Sequence, residues 1–116
     1  MKDKNVILEK SEDFAVRIIN LYKYLVFDKK EFVLSKQILR SGTSIGANAA
    51  EAQNGPSTKD FIVKMEIALK EQAETSYRLR LLKRTDYLTP KQFNALIGDS
   101  DEIGRLLTSI IKTSKK

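Results

Sequence analysis

Apolar residues recur along this chain at spacings of three and four, the period of a helix buried on one side. Phe14, Ile18, Leu21, Tyr22 and Leu25 fall on one face of a segment from about Ser11 to Phe27. Ser11 is placed to cap that helix, and Glu12 and Asp13 suit the positive end of its dipole. A second stripe, Ile38, Gly42, Ile45, Ala49 and Ala52, predicts a helix over about 32–53. Asn54-Gly55-Pro56 stops it, with Gly55 expected to form a left-handed cap. Ser57 then caps a third helix over about 58–84, with Phe61, Met65, Ala68, Leu69, Gln72, Ser76 and Leu79 on one face. The fourth, over about 90–113, has the clearest start, because Thr89, Pro90 and Gln92 supply a cap, a first-position proline and a capping box. Phe93, Leu96, Ile97, Ser100, Ile103, Gly104, Leu107, Ile110 and Ile111 continue it as one stripe. No segment alternates with period two long enough for a strand. Connections of about four to six residues make neighbouring helices antiparallel. The expected fold is all-α, an antiparallel up-down-up-down four-helix bundle in a single domain, residues 1–116.

The pattern holds more apolar surface than one bundle needs. Val63, Ile67 and Leu81 form a second stripe on the third helix, and Ala15, Ile19 and Val26 lie off the main face of the first. Leu39, Gly46 and Ala50 make a smooth strip on the second. Surplus stripes favour burial against further copies of the chain, although scattered exposed apolar residues are common in small proteins. Gly42-Thr-Ser-Ile-Gly46 matches the G-x-x-x-G letters, and its polar flanks point to close helix packing in water rather than in lipid.

Charge narrows the function classes. The chain has 116 residues, 21 Lys or Arg against 15 Asp or Glu, and a net charge of +6. That excess favours polyanions or an acidic protein surface. With no Cys and no His, disulfides, thiol nucleophiles and the commonest general base are excluded. No metal site, cofactor or catalytic residue is assigned. Ser109-Ile-Ile-Lys112 has S-x-x-K letters without its companion motifs. Glu66, Glu71 and Glu74 lack the Glu-x-x-His pairing of a di-metal bundle and read as a solvated or ion-paired surface. The amino terminus is too charged for a signal peptide, and no run reaches the ~20 apolar residues that span a bilayer. A cytoplasmic protein with no membrane partner is the expectation.

Two polar features remain. Arg40, Ser44, Asn48 and Glu51 line one side of the second helix at spacings of four, four and three. They either hydrogen-bond across a packed seam or form a solvated face with local contacts of about 0.2–0.5 kcal/mol each. Arg78, Arg80, Lys83 and Arg84 close the third helix, with Lys91 beyond the turn and Tyr77 and Tyr87 beside them. Cations there complement the helix dipole and could equally contact phosphates while the tyrosines stack on bases. With Lys36 and Arg40 they are the candidate nucleic-acid contacts.

The segment from Arg40 to Gln53, in which nine of fourteen residues are Gly, Ala, Ser or Thr, also carries a resemblance. Arg40-Ser-x-x-Ser44-Ile45-x-x-Asn48-x-Ala50-Glu51-Ala52 is similar to the hallmark stretch of the small helical proteins encoded in intervening sequences of bacterial 23S rRNA genes. Lys59-Asp60-Phe61, Ile67-Ala68-Leu69-Lys70-Glu71 and Glu74-Thr75 resemble that family's third helix. The resemblance implies a four-helix bundle and homopentamer formation. It also implies kinship in fold with the accessory variability proteins of diversity-generating retroelements, basic pentamers that associate with a reverse transcriptase and nucleic acid. The resulting expectation is a non-enzymatic oligomer that binds structured RNA or DNA through basic surfaces. The alternative is a scaffold or accessory subunit whose basic face meets a protein partner.

Overall fold

The computed structural model describes residues 2–116. It contains four helices, α1 (Lys2–Phe27), α2 (Leu34–Ala52), α3 (Thr58–Arg84) and α4 (Pro90–Ser114), and no strand among the described residues. Each helix packs on its neighbours in the chain, and α4 closes the ring against α1. The result is an up-down-up-down bundle of 45 × 21 × 19 Å. Its α1–α4 seam is the sparsest of the four.

The amino-terminal boundary differs from the sequence reading. Ser11 does not cap α1; the helix has already run for nine residues when it reaches Ser11. Ile7, Ser11, Phe14, Ile18, Leu21 and Leu25 form one buried stripe at spacings of four and three. The Ser11 hydroxyl donates to the Leu8 carbonyl inside the helix (3.3 Å), the local alternative that serines take when a helix continues past them. α2 begins at Leu34 rather than 32, and its first turn is held by Glu31, whose carboxylate accepts from the Ser35 amide at 2.7 Å. Gly55 is not a left-handed cap either, since no described glycine has positive φ. The left-handed positions are Lys30 and Asp86, in the α1–α2 and α3–α4 turns. At Asp86 the reversal lets the Tyr87 amide return to the Leu82 carbonyl at 2.9 Å. Ser57 and Thr89 cap α3 and α4 through the amides of Asp60 and Gln92, and the Thr89–Gln92 capping box is complete.

The core stripes on α2 and α4 lie inside as patterned, with Phe93 and Ile97 half-buried. What sets the spacing of α1 and α2 is the absence of side chain at Gly42. A methyl there would stand 2.8 Å from both γ-carbons of Ile18, and one at Gly46 would stand 3.2 Å from the Ser11 hydroxyl. The smooth face of α2 therefore lets α1 lie almost on its backbone.

The same cross-section has a polar interior. Thr75 donates to Ser41 across the α2–α3 seam at 2.9 Å. The Gln72 amide donates to Ser76, to the Ser100 carbonyl and to the Ser100 hydroxyl at 3.0–3.2 Å. Ser76 and Ser100 are themselves 2.7 Å apart. Gly104 makes room for this: a β-carbon there would meet the Gln72 amide at 2.8 Å. All these groups are buried, so each bond replaces one lost to water.

Gly42→Ala should destabilise the fold in urea denaturation. The gain in helix propensity is about 1 kcal/mol, and overpacking against Ile18 typically costs about 1–3 kcal/mol. Combined with Ile18→Ala, the loss should be smaller than the sum of the two single losses; additive losses would mean that the two residues do not clash.

Candidate nucleic-acid interface

The layer in which Ile18, Gly42, Thr75 and Ser100 sit divides the molecule electrically. Beyond it, at the end formed by the α1–α2 and α3–α4 turns, residues 19–40 and 77–99 carry ten Lys or Arg against four Asp or Glu. The rest of the chain balances, eleven against eleven. The whole excess of +6 thus belongs to one end of the bundle. Antiparallel folding produces this, because it brings together two segments far apart in sequence.

The candidate contacts do not all serve one purpose. Arg40 reaches from α2 to two carboxylates on α3, donating to Glu71 at 3.0 Å and to Glu74 at 3.3 Å. Arg78 also turns toward Glu74 (3.6 Å), and its Nη1 is buried without a hydrogen bond. These two arginines belong to an ion-pair network. Lys36, Arg80, Lys83 and Arg84 are exposed and make no ion pair among the described residues. Arg80 lies over the Tyr77 ring, 6.0 Å from its centroid, and Lys83 over Phe93 at 4.7 Å. Such stacking holds the cations in place while their charge stays in solvent.

The polar stripe of α2 divides similarly. Arg40 and Glu51, at its ends, bridge to α3, Glu51 through Lys64 at 3.7 Å. Ser44 and Asn48, in its middle, bond back to the carbonyls of Arg40 and Ser44. Within the chain the stripe therefore borders the α2–α3 seam.

Glu71 and Glu74 are the residues whose part in this site the sequence did not assign. Burial holds the Glu71 carboxyl above its ordinary value of 4.5, and the hydrogen bond with Glu74 adds to the rise against the pull of Arg40. Glu74 shifts below 4.5, chiefly through that same bond. Glu66 instead pairs with Lys115 at 3.2 Å. Among the described residues no group of three His, Cys, Asp or Glu is placed to hold a metal ion. Ser109 and Lys112 lie on the exposed surface. No described helix is long and apolar enough to cross a membrane.

Fold and surface together define an all-α, four-helix bundle with a buried polar layer and one cationic end. The chain belongs to the 23S rRNA-intervening sequence protein family, whose model matches residues 3–109. It is also similar to a crystal structure of a protein of unknown function from the S23 ribosomal protein family of Bacteroides thetaiotaomicron VPI-5482. The two share 60% identity over 95% of this chain and 98% of that one, with a TM-score of 0.94. No curated protein matches the chain.

The raised Glu71 carboxyl has a definite sign. A carboxyl whose folded value lies above its unfolded one binds its proton more tightly when folded, so its stabilising contribution fades as pH rises from about 4.5 through the folded value. Glu71→Gln removes that fading. The stability of Glu71→Gln relative to wild type, from urea midpoints across pH, should improve as pH rises above 4.5. A flat difference would mean that Arg40 fully offsets the burial.

Proposed function

We propose that this protein is a non-enzymatic, oligomeric helical bundle that binds structured RNA or DNA through its cationic end. The observation that carries this reading is the confinement of the net charge of +6 to residues 19–40 and 77–99. A polyanion meets a focused field there and near-neutrality elsewhere. Lys36, Arg80, Lys83 and Arg84, exposed and without an ion pair among the described residues, are the phosphate contacts. Arg40 and Arg78 contribute field, and Arg40 also ties α2 to α3 through Glu71 and Glu74. The link to rRNA genes in the family's name supports RNA over DNA.

Binding of a folded rRNA fragment, followed by fluorescence anisotropy over a salt series, tests the reading. Affinity should fall steeply with salt. Arg80→Ala/Lys83→Ala/Arg84→Ala should flatten the log–log slope by roughly 2–3, close to one unit for each phosphate no longer neutralised. An absence of binding at low salt would refute it.

Self-association is the second part of the proposal. Val16 (52% exposed), Ile19 (39%), Val63 (46%) and Ile67 (38%) leave apolar surface on the outside of α1 and α3. Burying it against like copies follows the homopentamer that the family resemblance implies. Multi-angle light scattering should return a mass several times 13.2 kDa; a monomeric mass would sink this part. The same exposed residues favour the scaffold reading, an accessory subunit meeting a protein partner, if nucleic acid does not bind.

A further inference from the structure

The sparse α1–α4 seam leaves a groove of about 520 Å³ at the cationic end, within the size range of small-ligand sites. Leu21 and Leu96, one from each helix, and Leu88, from the α3–α4 turn, form its apolar floor. All three are buried core residues, so the floor is part of the packed interior and not a mobile surface. Tyr24 forms one wall, with the Lys29 ammonium 5.7 Å from its ring centroid. Asn20 and Lys91 also line it, both exposed, and Lys91 makes no ion pair among the described residues. Apolar floor, aromatic wall, exposed amide and two flanking cations form one compact set.

Duplex nucleic acid cannot use such a groove, because its bases are stacked on each other and their faces are covered. A base in a loop or bulge can. Its flat face gains apolar and aromatic contact, its edge meets an amide that both donates and accepts, and its neighbouring phosphates meet lysines. We propose that the α1–α4 groove takes an unpaired nucleobase, so that this end of the bundle selects single-stranded positions within folded RNA. This rests on the nucleic-acid reading above and adds to it a preference that charge alone does not supply. Lys36, Arg80 and Arg84 bind any phosphate backbone; the groove distinguishes a loop from a helix.

The test compares a hairpin with an unpaired loop against a fully paired RNA duplex of equal charge, at one salt concentration, with wild type and Ala95→Leu. Ala95 is exposed and lines the groove, so leucine there fills it without changing charge and without touching the core. Wild type should favour the hairpin by about tenfold, the scale of one base–aromatic stack. Ala95→Leu should erase that preference while duplex binding stays. Tyr24→Leu, which keeps an apolar wall but removes the ring, should reduce it partway. Equal binding of the two RNAs by wild type, or a preference untouched by Ala95→Leu, would overturn the groove proposal and leave the cationic-end reading standing. Failure to bind either RNA would remove both. Saturable binding of a helical peptide rich in Leu and Glu, abolished in Ala95→Leu, with no hairpin preference would assign the groove to a protein partner and overturn the proposal.

Discussion

The distance between α1 and α2 is the constraint on which the rest of this bundle depends. With no side chain at Gly42, Ile18 rests against the α2 backbone. One helix turn away, Gly46 and Ser11 repeat the arrangement with a small residue on each side. The depth at which α2 sits fixes where its other faces point. One flank brings Ser41 to Thr75, and the next brings Arg40 over Glu71 and Glu74. Close packing thus aligns the polar groups that join α2 to α3, and those bonds hold the register that packing alone would leave adjustable.

The polar interior works in the same direction. Apolar stripes at helical spacing can slide by a turn at small cost. Gln72, Ser76 and Ser100 cannot, because a slip would bury each without a partner, at a cost of about 1–3 kcal/mol per group. Gly104 is the matching vacancy on α4: it admits the Gln72 amide at one height only. Small residues and hydroxyls at core positions therefore specify alignment, whereas Ile, Leu and Phe supply most of the burial.

This division of labour explains what the sequence disclosed. Three of the four helices announce themselves through apolar residues at helical spacing, and two of these also through standard caps, Ser57 on α3 and the Thr89–Gln92 box on α4. The first nine residues of α1 were hidden because Val6-Ile7-Leu8 is only a short apolar run between charged flanks and because Ser11 looks like a cap. Only its place in the run 7, 11, 14, 18 marks it as a core position. Burial of Glu71 was not legible either, since it depends on an arginine 31 positions away. The basic residues could be read, yet their gathering at one end could not. Residues 19–40 and 77–99 become neighbours only once the helices are antiparallel. Arg40 illustrates the limit: sequence groups it with Arg80 and Arg84 by type, while the fold gives it Glu71 and Glu74 on the neighbouring helix.

The uneven placement of charge also gives the molecule a mechanical property. A rod 45 Å long with its excess charge at one tip is a permanent electric dipole. In the field of a polyanion it feels a torque as well as an attraction, and it arrives turned end-on, with the chain turns leading. In a ring of parallel copies these dipoles would add, making one face strongly cationic and the opposite face nearly neutral. In an antiparallel stack they would cancel. The symmetry of any assembly would therefore decide whether the field of a single chain is amplified or silenced.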